Sequence, residues 1–363
     1  MIRLYDKKYR YFAYFDPLTG QGARSNAYDE YGRDTGEDPY RASFPELLDI
    51  GIMGHCEHGK SGLCLQSGVE CYQNGLGIEE PNMSLGHFKR LIDECKGRTF
   101  QVALGGRGDP DQHEDFVEIL KYARANGVVP NFTTSGYGLK YEMVPHIKAY
   151  CGAVAVSWYR NDYTHKALRM LIDAGIKTNI HFVLSKASID EAITMIQENQ
   201  IPKCVNRVIF LLHKPVGLGS FTNVLDVKDN RVKQFFGLID RPEVANRLGF
   251  DSCCVPAILN FAKNIHPMCI EACEAGRFSA YVSPDFNLIP CSFEKDPKYA
   301  VSLKNSSIEE AWNSKPFESF RELQEGKCIA CPSRTSCYAG CPIVPQITLC
   351  PTVDPHHARE VVP

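Results

Sequence analysis

The feature that most constrains the fold is an alternation of short apolar runs with helical patterns between about Asp49 and Leu212. Six runs predict strands: LLDIGIM, TFQVALGG, VVPNFTTSG, AVAVSWY, KTNIHFVL and NRVIFLLH. The stretches between them include SLGHFKRLIDECKG, HEDFVEILKYARANG, THKALRMLIDAGI and SIDEAITMIQENQ, whose apolar spacing is typical of amphipathic helices. Six strand and helix pairs predict an α/β fold, a barrel or a partial (β/α)6 barrel, with functional residues at the carboxyl ends of its strands.

This pattern divides the chain into three parts. Residues 1–47 form an N-terminal extension in which YFAYFDPLTGQGARS predicts a β-hairpin, whose exposed edge is a candidate for pairing with an extended peptide. Residues 48–250 contain the barrel pattern, a further helix at DNRVKQFFGLID and a possible strand at RLGFDSCC. Residues 251–363 show short segments, prolines and cysteines instead, and predict a separate C-terminal domain.

The chain has 16 cysteines in 363 residues, and its other properties argue against disulfides. The N-terminus lacks the apolar core and cleavage site of a signal peptide, and no stretch approaches the ~18 apolar residues of a spanning helix. With 44% hydrophobic residues, the chain can bury a core without disulfides. A net charge of −3 gives no electrostatic argument for nucleic acid or membrane as partner. We therefore expect a cytoplasmic, reducing setting in which cysteines bind metal.

Three cysteines lie in the loop after the first predicted strand, GHCEHGKSGLCLQSGVECYQNG. Cys56, Cys64 and Cys71 can hold three irons of a 4Fe–4S cluster and leave the fourth iron open. The second strand ends in LGGRGDP, where Gly105 and Gly106 allow the backbone to approach a small polar ligand. These features belong to one edge of the predicted barrel.

A denser cysteine pattern lies near the C-terminus. It is a C-x2-C-x5-C-x3-C run followed by one more cysteine, and its members are Cys328, Cys331, Cys337, Cys341 and Cys350. Taken alone, this run fits a structural zinc site as well as an iron–sulfur cluster. The three-cysteine loop and GGRGDP at predicted strand ends favour iron and sulfur.

With these motifs the chain resembles the radical S-adenosylmethionine superfamily over residues 48–350, and its C-terminus resembles the SPASM subgroup. The resemblance implies that Cys56, Cys64 and Cys71 hold the cluster that binds S-adenosylmethionine. The usual spacing is C-x3-C-x2-C, whereas this chain has C-x7-C-x6-C, and the alternative is that one of the three is not a ligand. It implies further cofactor contacts, and GGRGDP replaces the usual GGEP there. The expected contact residues are Tyr72, Gly105, Gly106, Thr134, Ser157, Asn179 and Leu212.

The SPASM resemblance implies two auxiliary clusters, and so three 4Fe–4S clusters in all. The ligands implied for the outer cluster are Cys328, Cys331, Cys337 and Cys350. Those implied for the inner cluster are Cys273, Cys291 and Cys341. Cys253, Cys254 and Cys269 are candidates for its fourth ligand, and an open iron that binds a substrate thiolate is the alternative.

The resemblance also implies a function. The enzyme would cleave S-adenosylmethionine reductively to a 5′-deoxyadenosyl radical, which takes a hydrogen atom from a ribosomally made peptide and leads to a crosslink or rearrangement. The expected partners are this precursor peptide, a separate leader-recognition protein where one delivers it, and a flavodoxin- or ferredoxin-type electron donor. The alternatives are Ser or Cys oxidation of the sulfatase-activating type, a small-molecule dehydrogenation, and a zinc-stabilised binding protein without catalysis.

Several other polar residues have two interpretations. Arg107 and Asp109 either touch the cofactor or fix their loop, and His58 either tunes the cluster or makes local hydrogen bonds. Lys214 is predicted to be a solvated charge, and Asp251 is a strand-end acid that is a candidate for facing the substrate. The remaining cysteines are predicted to be buried small hydrophobes, and these are Cys95, Cys151 and Cys204.

Overall fold

The computed structural model describes residues 1–325, 328 and 330–352, so the end of the predicted C-terminal domain, 353–363, lies outside the described residues. Its strands are β1 (Ile2–Asp6), β2 (Tyr11–Phe15), β3 (Gly22–Arg24), β4 (Leu47–Met53), β5 (Gln101–Gly106), β6 (Val129–Thr134), β7 (Val154–Ser157), β8 (Thr178–Leu184), β9 (Arg207–Leu212), β10 (Leu248–Phe250), β11 (Ser279–Val282), β12 (Asn287–Ile289) and β13 (Val301–Ser302).

The α-helices of the described residues are α1 (Glu57–Lys60), α2 (Leu63–Gln66), α3 (Leu85–Cys95), α4 (Phe116–Ala125), α5 (Val144–Tyr150), α6 (Asp162–Asp173), α7 (Ile189–Gln197), α8 (Asn230–Leu238), α9 (Pro242–Ala245), α10 (Val255–Phe261), α11 (Ile308–Trp312), α12 (Lys315–Glu325) and α13 (Arg334–Cys337). Short 3-10 helices connect several of these elements, and three of them lie at Pro110–Gln112, Ser252–Cys254 and Pro267–Cys269. Among the described residues, no helix has both the length and the apolar character that crossing a bilayer requires.

A ten-stranded sheet forms the centre of the molecule, in the order β10-β9-β8-β7-β6-β5-β4-β11-β12-β13. Strands β4 to β10 run parallel to their neighbours, and β4 to β9 are the six strands that the sequence predicts. The predicted α/β fold with a partial barrel is confirmed, since the two end strands do not pair with each other. From the cysteine-rich segment, β11 pairs in parallel with β4 and continues the sheet.

The two faces of the sheet differ because successive side chains of a strand point to opposite sides. Leu48, Ile50 and Ile52 of β4 are fully buried in the main core, which also contains Phe88 and Leu91 of α3. The other face is polar and half-buried, and its side chains include Asp49, Gln101, Asn131, Thr133, Ser157 and His181. The interior of the partial barrel therefore offers polar groups to a ligand.

Side-chain caps fix where the helices behind the sheet begin. The Ser84 hydroxyl accepts a hydrogen bond from the His87 N–H at the start of α3, at 3.2 Å. At the start of α6 the side chain of Asn161 accepts from the Thr164 N–H at 3.0 Å. Each cap satisfies a backbone donor that the helix itself leaves unpaired, so the register of the apolar face is set locally.

A separate three-stranded sheet, β1-β2-β3, lies at the amino-terminal ends of the barrel strands. The β2–β3 hairpin pairs antiparallel, and Phe15 at the end of β2 stacks on Phe100, one residue before β5, with ring centroids 5.4 Å apart. Arg24 of β3 forms an ion pair at 2.8 Å with Glu46, which directly precedes β4. The hairpin thus covers the end of the barrel opposite the cysteine loop that follows β4.

We predict that Phe15→Ala lowers the free energy of unfolding by about 3 kcal/mol or more, because a buried ring that packs on Phe100 is removed. Phe12→Ala is the matched control, since Phe12 is on the other, half-buried face of the same strand. The measurement is urea-induced unfolding of both variants. Equal losses from the two substitutions would show that this small sheet does not seal the barrel.

Candidate active site

The cysteine loop begins three residues after β4, at the carboxyl edge of the sheet. Cys56 caps α1, and its sulfur accepts a hydrogen bond from the Gly59 N–H at 3.1 Å. Cys64 is buried in α2, and Cys71 lies five residues after the end of that helix. Burial raises the pKa of Cys56 to about 11, and the nearby charges of Asp109, Cys71 and Cys64 add to the rise. The loop therefore brings the three predicted thiols into one region.

Glycines explain how so long a loop folds back on itself. A Cβ on Gly59 would lie 2.7 Å from the Gly75 carbonyl oxygen, and one on Gly75 would lie 3.1 Å from the Cys56 Cβ. A Cβ on Gly108 would lie 2.4 Å from the His55 carbonyl oxygen. Larger residues at these positions would push the loop away from Cys56, so the glycines compensate for the wide spacing of the cysteines.

The two glycines at the end of β5 have different surroundings. Gly106 has a φ of +120°, and a Cβ there would lie 2.4 Å from the carbonyl oxygen of Met53 at the end of β4. A Cβ on Gly105 would meet no atom within 4 Å, so its backbone borders open space beside the cysteine loop. This space fits the close approach of a small polar ligand that the sequence predicts.

Arg107 and Asp109 bond to neighbouring loops and strand ends in the structure. Arg107 forms an ion pair with Glu80 at 2.7 Å, and its Nε is buried without a hydrogen-bond partner among the described residues. The Asp109 carboxylate accepts hydrogen bonds from the backbone N–H and the hydroxyl of Ser135, directly after β6. Burial raises the pKa of Asp109 to about 6. These bonds join the end of β5 to the end of β6.

Asp111 is a polar residue beside the site that the sequence analysis missed. Both of its carboxylate oxygens are buried without a hydrogen-bond partner among the described side chains and backbone. Burial, and after it the charge of Asp109, raises the pKa of Asp111 to about 7. The sequence signal for Asp111 is its position two residues after Asp109, across a proline, but this spacing does not predict that Asp111 is buried.

Aromatic rings surround His58, which lies within the cysteine loop between Cys56 and Cys64. Its Nε2 lies 2.6 Å from the Tyr163 hydroxyl, and its ring stacks on Tyr137 with centroids 5.1 Å apart. Tyr159 packs against the same ring at 5.4 Å. Burial lowers the pKa of His58 to about 4, so the imidazole is neutral near pH 7. Of its two interpretations, local hydrogen bonding is the one that the geometry shows.

Most of the expected cofactor contacts lie at the same carboxyl edge. Ser157, Thr134 and Leu212 are the last residues of their strands. Thr134 is fully buried, and its hydroxyl accepts a hydrogen bond from the Gly136 N–H at 3.0 Å. The ring of Tyr72 stacks on Phe293 of the C-terminal segment, with centroids 4.4 Å apart.

Asn179 does not join this group, which corrects the expectation that it contacts the cofactor. It is the second residue of β8 and therefore lies at the amino end of the strand, where the Asn206 amide donates to its side chain at 2.7 Å. His181 is two residues further along the same face, and its Nδ1 lies 3.4 Å from the Thr133 hydroxyl. The interior polar residue of β8 near the site is thus His181.

A second group of thiols forms at the junction of the barrel and the C-terminal segment. A hydrogen bond with Cys341, together with burial, raises the pKa of Cys253 well above its ordinary value. Burial raises the pKa of Cys273 to about 11, and the charge of Cys253 adds to it. Burial and then Cys273 also raise the pKa of Cys291. These four thiols therefore share one region, whereas Cys269 is exposed.

Cys254, the neighbour of Cys253, is engaged elsewhere. Its thiol donates a hydrogen bond to Asp251 Oδ1 at 3.3 Å and packs into the main core. A thiol that donates its proton to a carboxylate is poorly suited to ligate a metal, since ligation requires the thiolate.

A third group lies at the C-terminal end of the described chain. Burial raises the pKa of Cys337 to about 11, and the charges of Cys350 and Cys328 add to the rise. Cys331 closes the same turn, since its N–H donates to the Cys328 carbonyl at 2.9 Å. Within residues 1–325, 328 and 330–352, no three His, Cys, Asp or Glu side chains are already arranged around a single metal ion. A cluster distributes its ligands over four irons and so accepts wider spacing.

Two predicted surroundings are wrong. Lys214 is not a solvated charge, because it is buried and forms an ion pair with Asp251 at 2.8 Å. Cys204 is exposed and not a buried hydrophobe, while Cys95 is buried and Cys151 is partly buried as predicted. The Asp251 carboxylate forms the ion pair with Lys214 and also accepts a hydrogen bond from the Leu212 N–H at 3.2 Å. The surroundings of Lys214 and of Cys204 depend on segments that are distant in the sequence.

The chain is similar to several known proteins. A family model for the SPASM iron–sulfur cluster-binding domain matches residues 273–337. The chain is 25% identical over 304 residues to the mycofactocin maturase MftC of Mycobacterium tuberculosis H37Rv, covering 77% of this chain and 75% of that protein. The same maturase of Mycobacterium ulcerans is 23% identical over 306 residues, covering 77% of this chain and 80% of that protein.

Two solved structures are similar in fold. Streptococcus suis SuiB bound to its precursor peptide SuiA superposes with a TM-score of 0.64 and 17% identity, covering 86% of this chain and 77% of that one. The protein anSMEcpe with bound AdoMet superposes with a TM-score of 0.60 and 14% identity, covering 83% and 91%. At these identities the likeness concerns the fold.

Proposed function

We propose that this chain, a radical S-adenosylmethionine enzyme that carries a SPASM domain, modifies a ribosomally made precursor peptide by oxidation. The observation that carries the proposal is the convergence of Cys56, Cys64 and Cys71 beside the open backbone at Gly105, above a polar barrel interior. The relatives support the substrate class, since MftC is named a maturase and SuiB is described with a precursor peptide. The proposed modification of the peptide is a crosslink or a rearrangement of its backbone or side chains.

In this proposal Cys56, Cys64 and Cys71 hold a 4Fe–4S cluster, and Gly105 admits the amino group of S-adenosylmethionine. When bound, the cluster and S-adenosylmethionine supply a 5′-deoxyadenosyl radical, which removes a hydrogen atom that acids and bases cannot remove. The chain contributes position and exclusion of water. The aromatic rings around His58 close one side of the site, and the hydrogen bonds from Ser135 to Asp109 hold the strand ends together.

Oxidation of the peptide by two electrons would give one hydrogen atom to the 5′-deoxyadenosyl radical, one electron to an auxiliary cluster and one proton to a base. The barrel interior contains a group suited to receive that proton. Asp49 is on the polar face of β4, and its carboxylate makes no hydrogen bond or ion pair with another described residue. Burial, and after it the charge of Glu274, raises the pKa of Asp49 to about 7. We infer that Asp49 takes up this proton, because it lies on the interior face of β4 and a carboxyl with this pKa can accept a proton near neutral pH.

The two other thiol groups are proposed to hold auxiliary clusters, which makes three clusters in all. The inner set consists of Cys253, Cys273, Cys291 and Cys341, whose thiols share one region. The outer set consists of Cys328, Cys331, Cys337 and Cys350. Cys253 is favoured as the fourth inner ligand because Cys254 donates to Asp251 and Cys269 is exposed.

We predict that Cys253→Ala lowers the iron content by up to about four atoms per chain, since it removes a ligand of the inner cluster. Cys269→Ala, the matched control, should leave the iron content unchanged because this exposed thiol is outside the group. The measurement is iron and sulfide content of anaerobically purified protein. A loss of iron from Cys269→Ala alone would transfer the ligand role to that residue.

The proposed partners are the precursor peptide, a flavodoxin- or ferredoxin-type electron donor in the cytoplasm, and a separate leader-recognition protein where one is needed. A peptide that pairs with the edge of the N-terminal sheet would bind at the barrel end opposite the cysteine loop. Such a leader would have to pass along the outside of the barrel to reach the site. Direct binding at the carboxyl edge requires a shorter path.

The test combines iron, sulfide and zinc analysis with 5′-deoxyadenosine release after reduction in the presence of S-adenosylmethionine. About 12 irons per chain and deoxyadenosine release are expected. A crosslinked precursor peptide should lose 2 Da, as it would on oxidation of a Ser alcohol, and fragmentation of the product distinguishes these two reactions. Zinc without iron or deoxyadenosine would make the chain a structural zinc protein and end the proposal.

A further inference from the structure

We propose that the buried ion pair of Lys214 and Asp251 sets the reduction potential of the inner auxiliary cluster. The inference rests on the proposed function, because it assumes that Cys253, Cys273, Cys291 and Cys341 hold that cluster. It concerns a fixed charge of this chain beside the ligands and assigns Lys214 an electrostatic positioning role.

The ion pair is built into the carboxyl ends of two neighbouring strands. Lys214 lies two residues after β9, and its Nζ is 2.8 Å from Asp251 Oδ2 and 3.0 Å from the Leu212 carbonyl oxygen. Asp251 directly follows β10 and also accepts the Leu212 N–H. Lys214 is only 7% exposed, so its ammonium is held by protein groups and not by bulk water.

The same pair lies between the segments that carry the inner thiols. Asp251 is two residues before Cys253 and accepts the thiol hydrogen of Cys254 at 3.3 Å. On the other side, Lys214 Nζ lies 4.4 Å from the ring centroid of Phe293, two residues after Cys291. The ammonium therefore stands between the two segments and not at the rim of the group.

The position of the Lys214 ammonium between the segments that carry Cys253 and Cys291 gives it an electrostatic effect on a cluster bound there. A cation that stabilises a thiolate also stabilises the additional negative charge that one-electron reduction places on a cluster. Inside a protein this stabilisation is weakly screened, and residues around the ligands are known to tune metal sites in this way.

The physical expectation is opposite for the two partners. Removal of the Lys214 charge disfavours the reduced cluster, so its potential moves to a more negative value. Removal of the Asp251 charge leaves the ammonium uncompensated, and the potential moves to a more positive value. A role limited to joining β9 and β10 predicts no such opposition, because either change would break the same hydrogen bond.

The experiment is a redox titration followed by electron paramagnetic resonance on the full-length chain with Cys56, Cys64 and Cys71 replaced by alanine, so that only auxiliary clusters contribute. In this background we compare Lys214→Met, Asp251→Asn, the double substitution and Lys214→Arg. Lys177→Met is the control, since Lys177 directly precedes β8 at the opposite end of the barrel. Iron content is measured for every variant.

We expect Lys214→Met and Asp251→Asn to shift one auxiliary couple in opposite directions, with iron content and the other couple unchanged. The reduction potential of the double variant should lie between those of the two single variants. The potentials of Lys214→Arg and Lys177→Met should match that of the background protein with the three alanine substitutions. Absence of a shift, shifts in the same direction, or equal shifts of both couples would each overturn the inference. If the unsubstituted protein contained no iron and gave no paramagnetic signal, that result would instead refute the proposed function.

Discussion

Cys56→Ala is expected to abolish 5′-deoxyadenosine release and to remove about four irons per chain, because a cluster held by three thiolates does not survive with two. The expectation follows from the position of Cys56 at the start of α1, beside Cys64, Cys71 and the open backbone at Gly105. The measurement is iron content and deoxyadenosine formation of anaerobically reconstituted protein. Both values should fall together.

A control separates this effect from damage to the fold. Cys56 also caps α1, and losing the bond to the Gly59 N–H costs about 1 kcal/mol, too little to unfold a domain. Cys95→Ala makes the same chemical change in the core at the end of α3, away from the three thiol groups, and should retain iron and activity. Full activity of Cys56→Ala would remove the cysteine loop from the mechanism.

The strands of the barrel could be predicted because each carries its own signal. Runs such as the one that forms β4 are apolar on the face toward the helices, and their boundaries coincide with glycines and polar turns. The addition of β11 to the β4 edge could not be predicted, since four residues carry no information about a partner so distant in sequence. The position of the N-terminal sheet likewise depends on the packing of Phe15 on Phe100.

The residues of the candidate site also divide into those that the sequence could predict and those that it could not. Cysteine spacing predicts the loop after the first strand and the run near the C-terminus as ligand groups, whereas the grouping of Cys273, Cys291 and Cys341 follows only from the resemblance to the SPASM subgroup. Asn179 was misplaced because alternation identifies which face a residue occupies but not its height along the strand, and His181 shares that face. Lys214 was misjudged because its burial depends on Asp251, which only the neighbouring strand brings near.

Phe286 illustrates how tertiary packing overrides a local rule. It occupies a turn position at which glycine is usual, and its φ is +69°, a conformation that costs a non-glycine residue about 1 kcal/mol or more. The ring is 1% exposed and stacks on His87 of α3, with centroids 4.2 Å apart. Burial of an aromatic ring against the helix offsets the strain, which a turn rule based on sequence does not include.

Gly106→Ala and Gly105→Ala form the second test of the site, and their effects should differ in kind. At Gly106 a Cβ would lie 2.4 Å from the carbonyl oxygen and 2.8 Å from the amide nitrogen of Met53, at a φ of +120°. Backbone atoms of a paired strand cannot move aside cheaply, so we expect a loss of more than about 3 kcal/mol in unfolding free energy.

Gly105→Ala should leave stability almost unchanged, since its Cβ meets no atom within 4 Å. That methyl group would enter the space in which we place the amino group of S-adenosylmethionine, so the expected effect is weaker binding of the cofactor, by about tenfold or more. Urea unfolding and anaerobic equilibrium dialysis with S-adenosylmethionine measure the two effects separately. If Gly105→Ala binds the cofactor as tightly as the parent, the open space at the end of β5 is not its site, whatever Gly106→Ala does to the fold.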